Sequence, residues 1–154
     1  MIRLTLFFLL CTFVTSAQLT RVDDGEYEYQ EIVKVDKTLA EIHNGVINYA
    51  AIEFRSTFDA IQIDSDKKII LKGDKFLRFP EGRINFTQII DMKDGKYRVT
   101  FKNFILISSD GSESQIRDNL ILKKATLKNT YIEIKRVMKN LKIEVENSSD
   151  DDDW

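Results

Sequence analysis

The chain has 154 residues, of which 43% are hydrophobic and 31% charged, and its formal charge is −2 at neutral pH. A chain of this length forms one domain and can hide enough apolar surface for a core without disulfides. The mildly acidic balance argues against general nucleic-acid binding, which needs a basic surface that displaces counterions from phosphates.

The first seventeen residues have the organisation of a signal peptide. Arg3 precedes an apolar run from Leu4 to Val14, and small residues lead up to Ala17. The run is shorter than the roughly twenty apolar residues that cross a bilayer. A lipid on Cys11 is disfavoured, because bulky Leu10 stands where a small residue is expected. We therefore predict cleavage after Ala17 and an exported protein, periplasmic or extracellular.

Cleavage would also remove Cys11, the only cysteine. The remaining 137 residues would carry a formal charge of about −3 and would have no disulfide, thiol nucleophile or thiolate metal site. They would contain no transmembrane segment. The sequence predicts four parts: a signal peptide at 1–17, a polar leader at 18–26, a single domain at 27–146 and an acidic disordered tail at 147–154.

The predicted domain begins with a strand and a helix. Apolar and polar residues alternate over 27–35, which is typical of a half-buried strand. The segment Thr38–Glu41 has the capping-box pattern of a helix start, and apolar residues at helical spacing extend this helix to about Phe54. Asn44-Gly45 inside it could instead form a turn, and Gly45 costs about 1 kcal/mol relative to alanine in a helix.

Four further strands are predicted, at 58–64, 68–79, 83–93 and 96–107, with a kink or bulge at Gly73-Asp74. Asp94-Gly95 joins the last two as a type I′ turn, so Lys93 and Lys96 face each other. A change of alternation near Asn103 predicts a bulge or burial on both faces. Connections this short favour antiparallel neighbours.

A loop is predicted at Ser108–Ser114, followed by a short strand or an ordered loop at 116–122. Apolar residues at three- and four-residue spacing then predict a helix at 125–145. The element order is strand-helix-four strands-helix. It favours an α+β domain with an antiparallel sheet of about five strands and two helices on one face.

The segment from Thr87 to Phe101, with Asn103-Phe104 after it, resembles the central motif of a family of exported bacterial proteins. That family is described only as a domain of unknown function with a TATA-binding-protein-like (TBP-like) fold. The strand at 29–36, the helix at 38–54 and the segment 64–73 resemble its upstream elements. The resemblance implies a TBP-like fold and export. It implies no activity, and it carries over no functional residues.

We predict no catalytic, cofactor-binding or metal-binding residues. His43 is the only histidine, so no metal site or catalytic set can contain two imidazoles, and we expect it to face solvent. Asp64, Asp66 and Asp74 could ligate calcium, but the bidentate glutamate of a calcium loop does not follow them. They are better explained as turn formers.

The more polar, solvent-facing side of the last predicted sheet strand carries Arg98, Thr100 and Lys102. We predict a non-enzymatic binding module that uses the open face of the sheet, with these three residues facing an unknown protein or envelope component. A carboxylate-based hydrolase is the alternative, and nucleic-acid binding is less favoured. The acidic run Asp150–Asp153, with Trp154, is either a solvated end or an acidic docking tag.

Overall fold

The structure, a computed structural model, describes residues 19–22, 25–54, 60–116 and 123–149. These residues form seven strands and two helices. In chain order they are β1 (Leu19–Arg21), β2 (Tyr27–Lys34), α1 (Leu39–Glu53), β3 (Ile61–Ser65), β4 (Lys68–Arg78), β5 (Glu81–Lys93), β6 (Lys96–Ser108), β7 (Glu113–Gln115) and α2 (Lys123–Asn147).

The strands form one antiparallel sheet in the order β1-β2-β6-β5-β4-β3, and β7 pairs with β6. Both helices cover the same face and pack against each other. The predicted α+β architecture is confirmed, with more strands than the expected five. The additional strands are β1, which lies in the expected polar leader, and β7, which begins inside the expected loop.

Alternation in β5 decides which side chains face the helices. Ile84, Phe86, Ile90 and Met92 are buried, and the intervening residues point to the other face, as predicted. Gln88 has the same parity and is fully buried, where its Oε1 accepts a hydrogen bond of 2.9 Å from the Tyr49 hydroxyl. The core therefore contains one polar link between α1 and the centre of the sheet.

Of the alternatives predicted at Asn103, the bulge is confirmed, whereas of the kink or bulge predicted at Gly73-Asp74, the bulge is absent. The β5–β6 register shifts opposite Asn103, whose φ is +57°, and the shift turns Phe104 towards the core. At Gly73 the β4–β5 register continues without interruption. A Cβ on Gly73 would collide with the Phe54 and Phe86 rings, so this glycine makes room for aromatic packing.

The turn between β5 and β6 is not type I′. Gly95 has a φ of +75°, but Asp94 does not share the left-handed conformation that type I′ requires at both central residues. The turn is held against the β2–α1 connection instead. The Gly95 amide donates to the Lys37 carbonyl at 3.0 Å, and the Val35 amide donates to the Gly95 carbonyl at 3.0 Å.

The predicted start of α1 is confirmed by both bonds of its capping box. The Glu41 amide donates to Thr38 Oγ1 at 3.2 Å, and the Thr38 amide donates to Glu41 Oε2 at 2.8 Å. The helix passes through Gly45 without a break, and α2 crosses α1 at this point. A Cβ on Gly45 would stand 2.6 Å from the Cα of Val145. The close crossing therefore requires glycine.

Neither α1 nor α2 combines the length and apolar content needed to cross a membrane, within the part of the chain that the structure describes.

Candidate binding face

The face of the sheet opposite the helices, called the open face below, presents side chains in rows across the strands. Residues paired in an antiparallel register project to the same face, so each set of partners forms one row. The middle row is mainly apolar and is called the apolar row. It contains Ile63, Ile70, Ile89, Thr100 and Gln30.

Basic rows lie on both sides of the apolar row. Towards the β5–β6 turn, the next row contains Lys68, Asp91, Arg98 and Ile32, and the last contains Lys93, Lys96 and Lys34. On the other side, the next row contains Lys72, Thr87 and Lys102. The open face therefore presents an aliphatic stripe between two cationic margins.

The charge of the open face is opposite in sign to that of the whole chain, which is −2. On β4, β5 and β6 this face carries eight basic and three acidic side chains. The basic ones are Lys68, Lys72, Arg78, Arg83, Lys93, Lys96, Arg98 and Lys102, and the acidic ones are Asp74, Glu81 and Asp91. Such a concentration of one sign attracts and orients an oppositely charged partner.

A hollow of about 610 Å³ lies on the open face far from the β5–β6 turn, and it is called the distal hollow. The Asp74 carboxylate accepts hydrogen bonds from Arg83, with Nε at 2.7 Å. Asn103 Nδ2 donates to Thr87 Oγ1 at 3.3 Å. The lining combines basic, amide, hydroxyl and apolar groups, which are Lys72, Gly73, Asp74, Arg83, Asn85, Phe86, Thr87, Asn103, Ile105 and Ile107.

A second hollow, of about 300 Å³, lies beside the β5–β6 turn and is called the hairpin hollow. Its apolar wall is Ile32, which is 47% exposed. The complete lining is Ile32, Asp91, Met92, Lys93, Lys96, Tyr97 and Arg98.

Among the described residues, Asp91 is the only carboxylate that lines the hairpin hollow. Burial opposes its ionisation, but hydrogen bonds from Arg98 and Lys68, together with their charges, outweigh burial and lower the pKa of Asp91. Its Oδ2 lies 2.8 Å from Arg98 Nη2, and its Oδ1 lies 3.2 Å from Lys68 Nζ. One negative charge is thus shared by two cations, and the hollow remains positive.

The three residues predicted for partner binding all lie on the open face, but they differ in exposure. Arg98 is exposed and paired with Asp91. Lys102 is half-buried, and no carboxylate among the described residues lies within ion-pair distance of it. Thr100 is only 8% exposed, and its Oγ1 accepts a hydrogen bond of 3.3 Å from Gln30 Nε2. Thr100 therefore forms part of the floor of the face.

Other residues of the face were not singled out from the sequence. Lys72, Asn85 and Ile32 line the two hollows. Alternation within the predicted strands already assigns them to the side away from the core, so that signal could have identified them. Their grouping depends on strand pairing.

The remaining candidates lie apart from these hollows. His43 Nε2 is 2.8 Å from Asp64 Oδ1, so the histidine joins α1 to β3 while keeping partial exposure. Within the described ranges, no three His, Cys, Asp or Glu side chains stand close enough to hold a metal ion. The described residues place one carboxylate in each hollow, Asp74 or Asp91, and each carboxylate is paired with an arginine. Lys72 at the distal hollow, and Lys93 and Lys96 at the hairpin hollow, have no carboxylate partner among the described residues and can bind anionic groups.

Comparison with known proteins agrees with the fold. The family described as "Domain of unknown function (DUF4468) with TBP-like fold" matches residues 29–106. A TBP-like protein from Parabacteroides distasonis ATCC 8503 superposes with a TM-score of 0.71 at 12% identity, covering 83% of this chain and 97% of that one. A DUF4468 family protein from Bacteroides ovatus ATCC 8483 superposes with a TM-score of 0.65 at 12% identity, covering 86% and 92%. No curated protein matches the chain.

Proposed function

We propose that this chain, which belongs to the family of TBP-like domains of unknown function, is an exported, non-enzymatic binding module. The family pattern spans residues 29–106. The open face of the chain would hold an acidic segment of a partner protein. The observation that supports this proposal is the apolar row between two cationic margins.

The rows define the chemistry of the partner. Lys72 and Lys102 lie on either side of Thr87 and can each receive a carboxylate. The isoleucines of the apolar row favour apolar partner side chains. Each Å² of apolar surface that such contacts remove from water contributes about 25 cal/mol of favourable free energy. A segment with an apolar centre and acidic ends satisfies both requirements. Long-range attraction by the lysines would mainly accelerate association.

Two other activities fit the open face less well. Hydrolysis by a carboxylate pair needs two acids in one cleft, whereas Asp74 and Asp91 lie in different hollows. Single-stranded nucleic acids bind by stacking their bases on aromatic side chains. The apolar row presents aliphatic Ile63, Ile70 and Ile89, and among the described strand residues of this face only Phe76 offers an exposed ring. A protein segment is therefore the partner that we favour.

Export remains part of the proposal, because residues 1–17 lie outside the described ranges. The signal-peptide pattern predicts a mature N-terminus at Gln18. Expression of the full chain in a bacterial host, followed by fractionation and intact mass measurement, tests it. A mass corresponding to residues 18–154 in the exported fraction supports export. An uncleaved chain in the cytoplasm contradicts it.

Chemical-shift mapping tests the proposed face. The probe is a short peptide with central valines and glutamates at both ends, titrated into the ¹⁵N-labelled protein. We expect the largest shifts at Thr87 and Lys102 in the cationic margin and at Ile89 in the apolar row. Shifts confined to α1 and α2, or no shifts at millimolar peptide, would contradict the proposal.

A further inference from the structure

Three lysines from three neighbouring strands stand side by side at one end of the open face. Lys34 on β2 is paired with Lys96 on β6, and Lys96 is paired with Lys93 on β5. Like charges directly opposite each other destabilise a sheet. Among the described residues, no carboxylate lies within ion-pair distance of any of the three. This lysine row is therefore a place where an anionic group would stabilise the fold.

The hairpin hollow adds an apolar contact beside the lysine row. Lys93 and Lys96 form part of its rim, and Ile32 forms its exposed apolar wall. A ligand for this place needs several negative charges and an adjoining apolar group. The volume of about 300 Å³ is at the lower end of the range of sites that hold small ligands or single large side chains.

The end of α2 lies beside the β5–β6 turn, on the helix side of the sheet. Lys37 Nζ donates a hydrogen bond to the Ser148 carbonyl, and the Lys37 carbonyl accepts one from the Gly95 amide in the turn. The Ser148 hydroxyl donates to the Val145 carbonyl at 2.7 Å, which holds the residue against the helix. The chain thus leaves α2 beside the turn that carries Lys93 and Lys96.

The five residues that follow Ser149 combine the negative charges and the apolar group that suit the lysine row and the hairpin hollow. They are four consecutive aspartates, Asp150–Asp153, and Trp154. Five extended residues span about 17 Å. That length allows them to pass the turn from the helix side of the sheet to the open face.

We propose that Asp150–Trp154 of the same chain folds around the β5–β6 turn and docks on the hairpin hollow. The aspartates would lie against the lysine row, and the Trp154 indole would cover Ile32. The charge match supplies the attraction, which weakens with salt because exposed charges are screened over about 8 Å at physiological ionic strength. This intramolecular cover does not depend on the proposed partner, since the hollow is charged and apolar whether or not a partner exists.

Trp154 is the only tryptophan, so its fluorescence reports on the tail alone. We would measure acrylamide quenching of the full chain, of Lys93→Glu/Lys96→Glu and of the matched control Lys72→Glu/Lys102→Glu. The control makes the same charge change at the other margin of the open face. We expect quenching of the wild type to be weaker than in the urea-unfolded chain. In Lys93→Glu/Lys96→Glu it should rise to the unfolded value, and in the control it should stay at the wild-type value.

A second variant tests the apolar contact independently of charge. Ile32→Ser should raise the quenching and shift the emission of Trp154 to longer wavelength, while circular dichroism remains that of the folded protein. Wild-type quenching equal to that of the unfolded chain at low salt would overturn the proposal. So would protection that persists in both the Lys93→Glu/Lys96→Glu and Ile32→Ser variants. Protection lost on dilution would assign the hollow to the tail of a second copy and would also overturn it.

Discussion

The Oδ1 atom of Asp94 accepts a hydrogen bond of 2.7 Å from the backbone amide of Leu39, the first residue of α1. The β5–β6 turn thus satisfies one of the amides that a helix start leaves without a partner. Together with the two backbone bonds of Gly95, it ties the hairpin to the β2–α1 connection. Two local patterns of the sequence, the Asp-Gly turn and the capping box, therefore meet in space.

Replacement of Asp94 should weaken this junction. We expect Asp94→Ala to lower the free energy of unfolding by about 1 kcal/mol, as the loss of a helix-capping acceptor does. Asp94→Asn should lower the free energy of unfolding much less, because its side-chain oxygen can still accept the hydrogen bond from the Leu39 amide. Urea denaturation measures both. The control is Asp66→Ala in the β3–β4 turn, which should change little. Equal stability of Asp94→Ala and wild type would contradict the assigned role.

Replacement of Gly45 by alanine, which normally stabilises a helix, should destabilise this protein. Alanine favours a helix by about 1 kcal/mol over glycine, yet a Cβ at Gly45 would meet the backbone of Val145. We therefore expect Gly45→Ala to be less stable than wild type in thermal and urea unfolding. Asn44→Ala, at the exposed neighbouring position, is the matched control and should be neutral or slightly stabilising. A more stable Gly45→Ala would show that α2 does not approach so closely.

A buried ion pair between Glu53 and Lys75 joins α1 to β4. Their side chains are 8% and 12% exposed, and Asn140 Nδ2 on α2 donates to Glu53 Oε2 at 2.8 Å. Removing one partner leaves a buried charge, so Lys75→Met should cost about 3 kcal/mol. The double variant Glu53→Gln/Lys75→Met removes both charges and should be more stable than the single variant. Strict additivity of the two single substitutions in a double-mutant cycle would contradict the coupling.

Stability should fall in acid partly because of Glu31. Burial opposes its ionisation, but hydrogen bonds from Lys142 and Tyr29, with the charges of Lys142 and Lys135, outweigh burial and lower its pKa below 4.5. The unfolded chain then binds more protons between the two pKa values. The contribution of Glu31 is complete above pH 4.5 and is lost as the pH falls through the lowered pKa of the folded state.

Urea titrations between pH 7 and pH 3 test this pH dependence. Glu31→Gln should be less stable at pH 7 by about 2 kcal/mol, since it loses hydrogen bonds to charged groups. The difference from wild type should shrink as the pH falls below 4.5. Glu113→Gln, at an exposed position on β7, is the control. A difference that stays constant over this range would contradict the role of Glu31.

Local patterns predicted the elements well because they depend on neighbouring residues. The Thr38–Glu41 capping box and the alternation along β5 need only a few adjacent side chains. Local patterns did not predict the three-residue strands β1 and β7. These strands are too short to show an alternation, and they form by pairing with longer strands. The role of Gly45 depended on α2, which is distant in the sequence.

The candidate face was only partly predictable for the same reason. Alternation placed Arg98, Thr100 and Lys102 on the open face, and the register confirms that placement. The burial of Thr100 beneath Gln30 could not be read from one strand. The lysine row also requires the register of three strands before Lys34 becomes a neighbour of Lys96.

Isothermal titration calorimetry measures whether the open face binds an acidic segment, as we propose. The glutamate- and valine-containing peptide is titrated into the wild type, into Lys72→Glu/Lys102→Glu and into Lys128→Glu/Lys139→Glu. The last variant makes the same charge change at exposed positions of α2. We predict that reversal at Lys72 and Lys102 weakens binding at least about 10-fold, equivalent to about 1.4 kcal/mol, while the α2 variant binds like the wild type. Equal weakening by both variants, or no binding to the wild type, would contradict the claim.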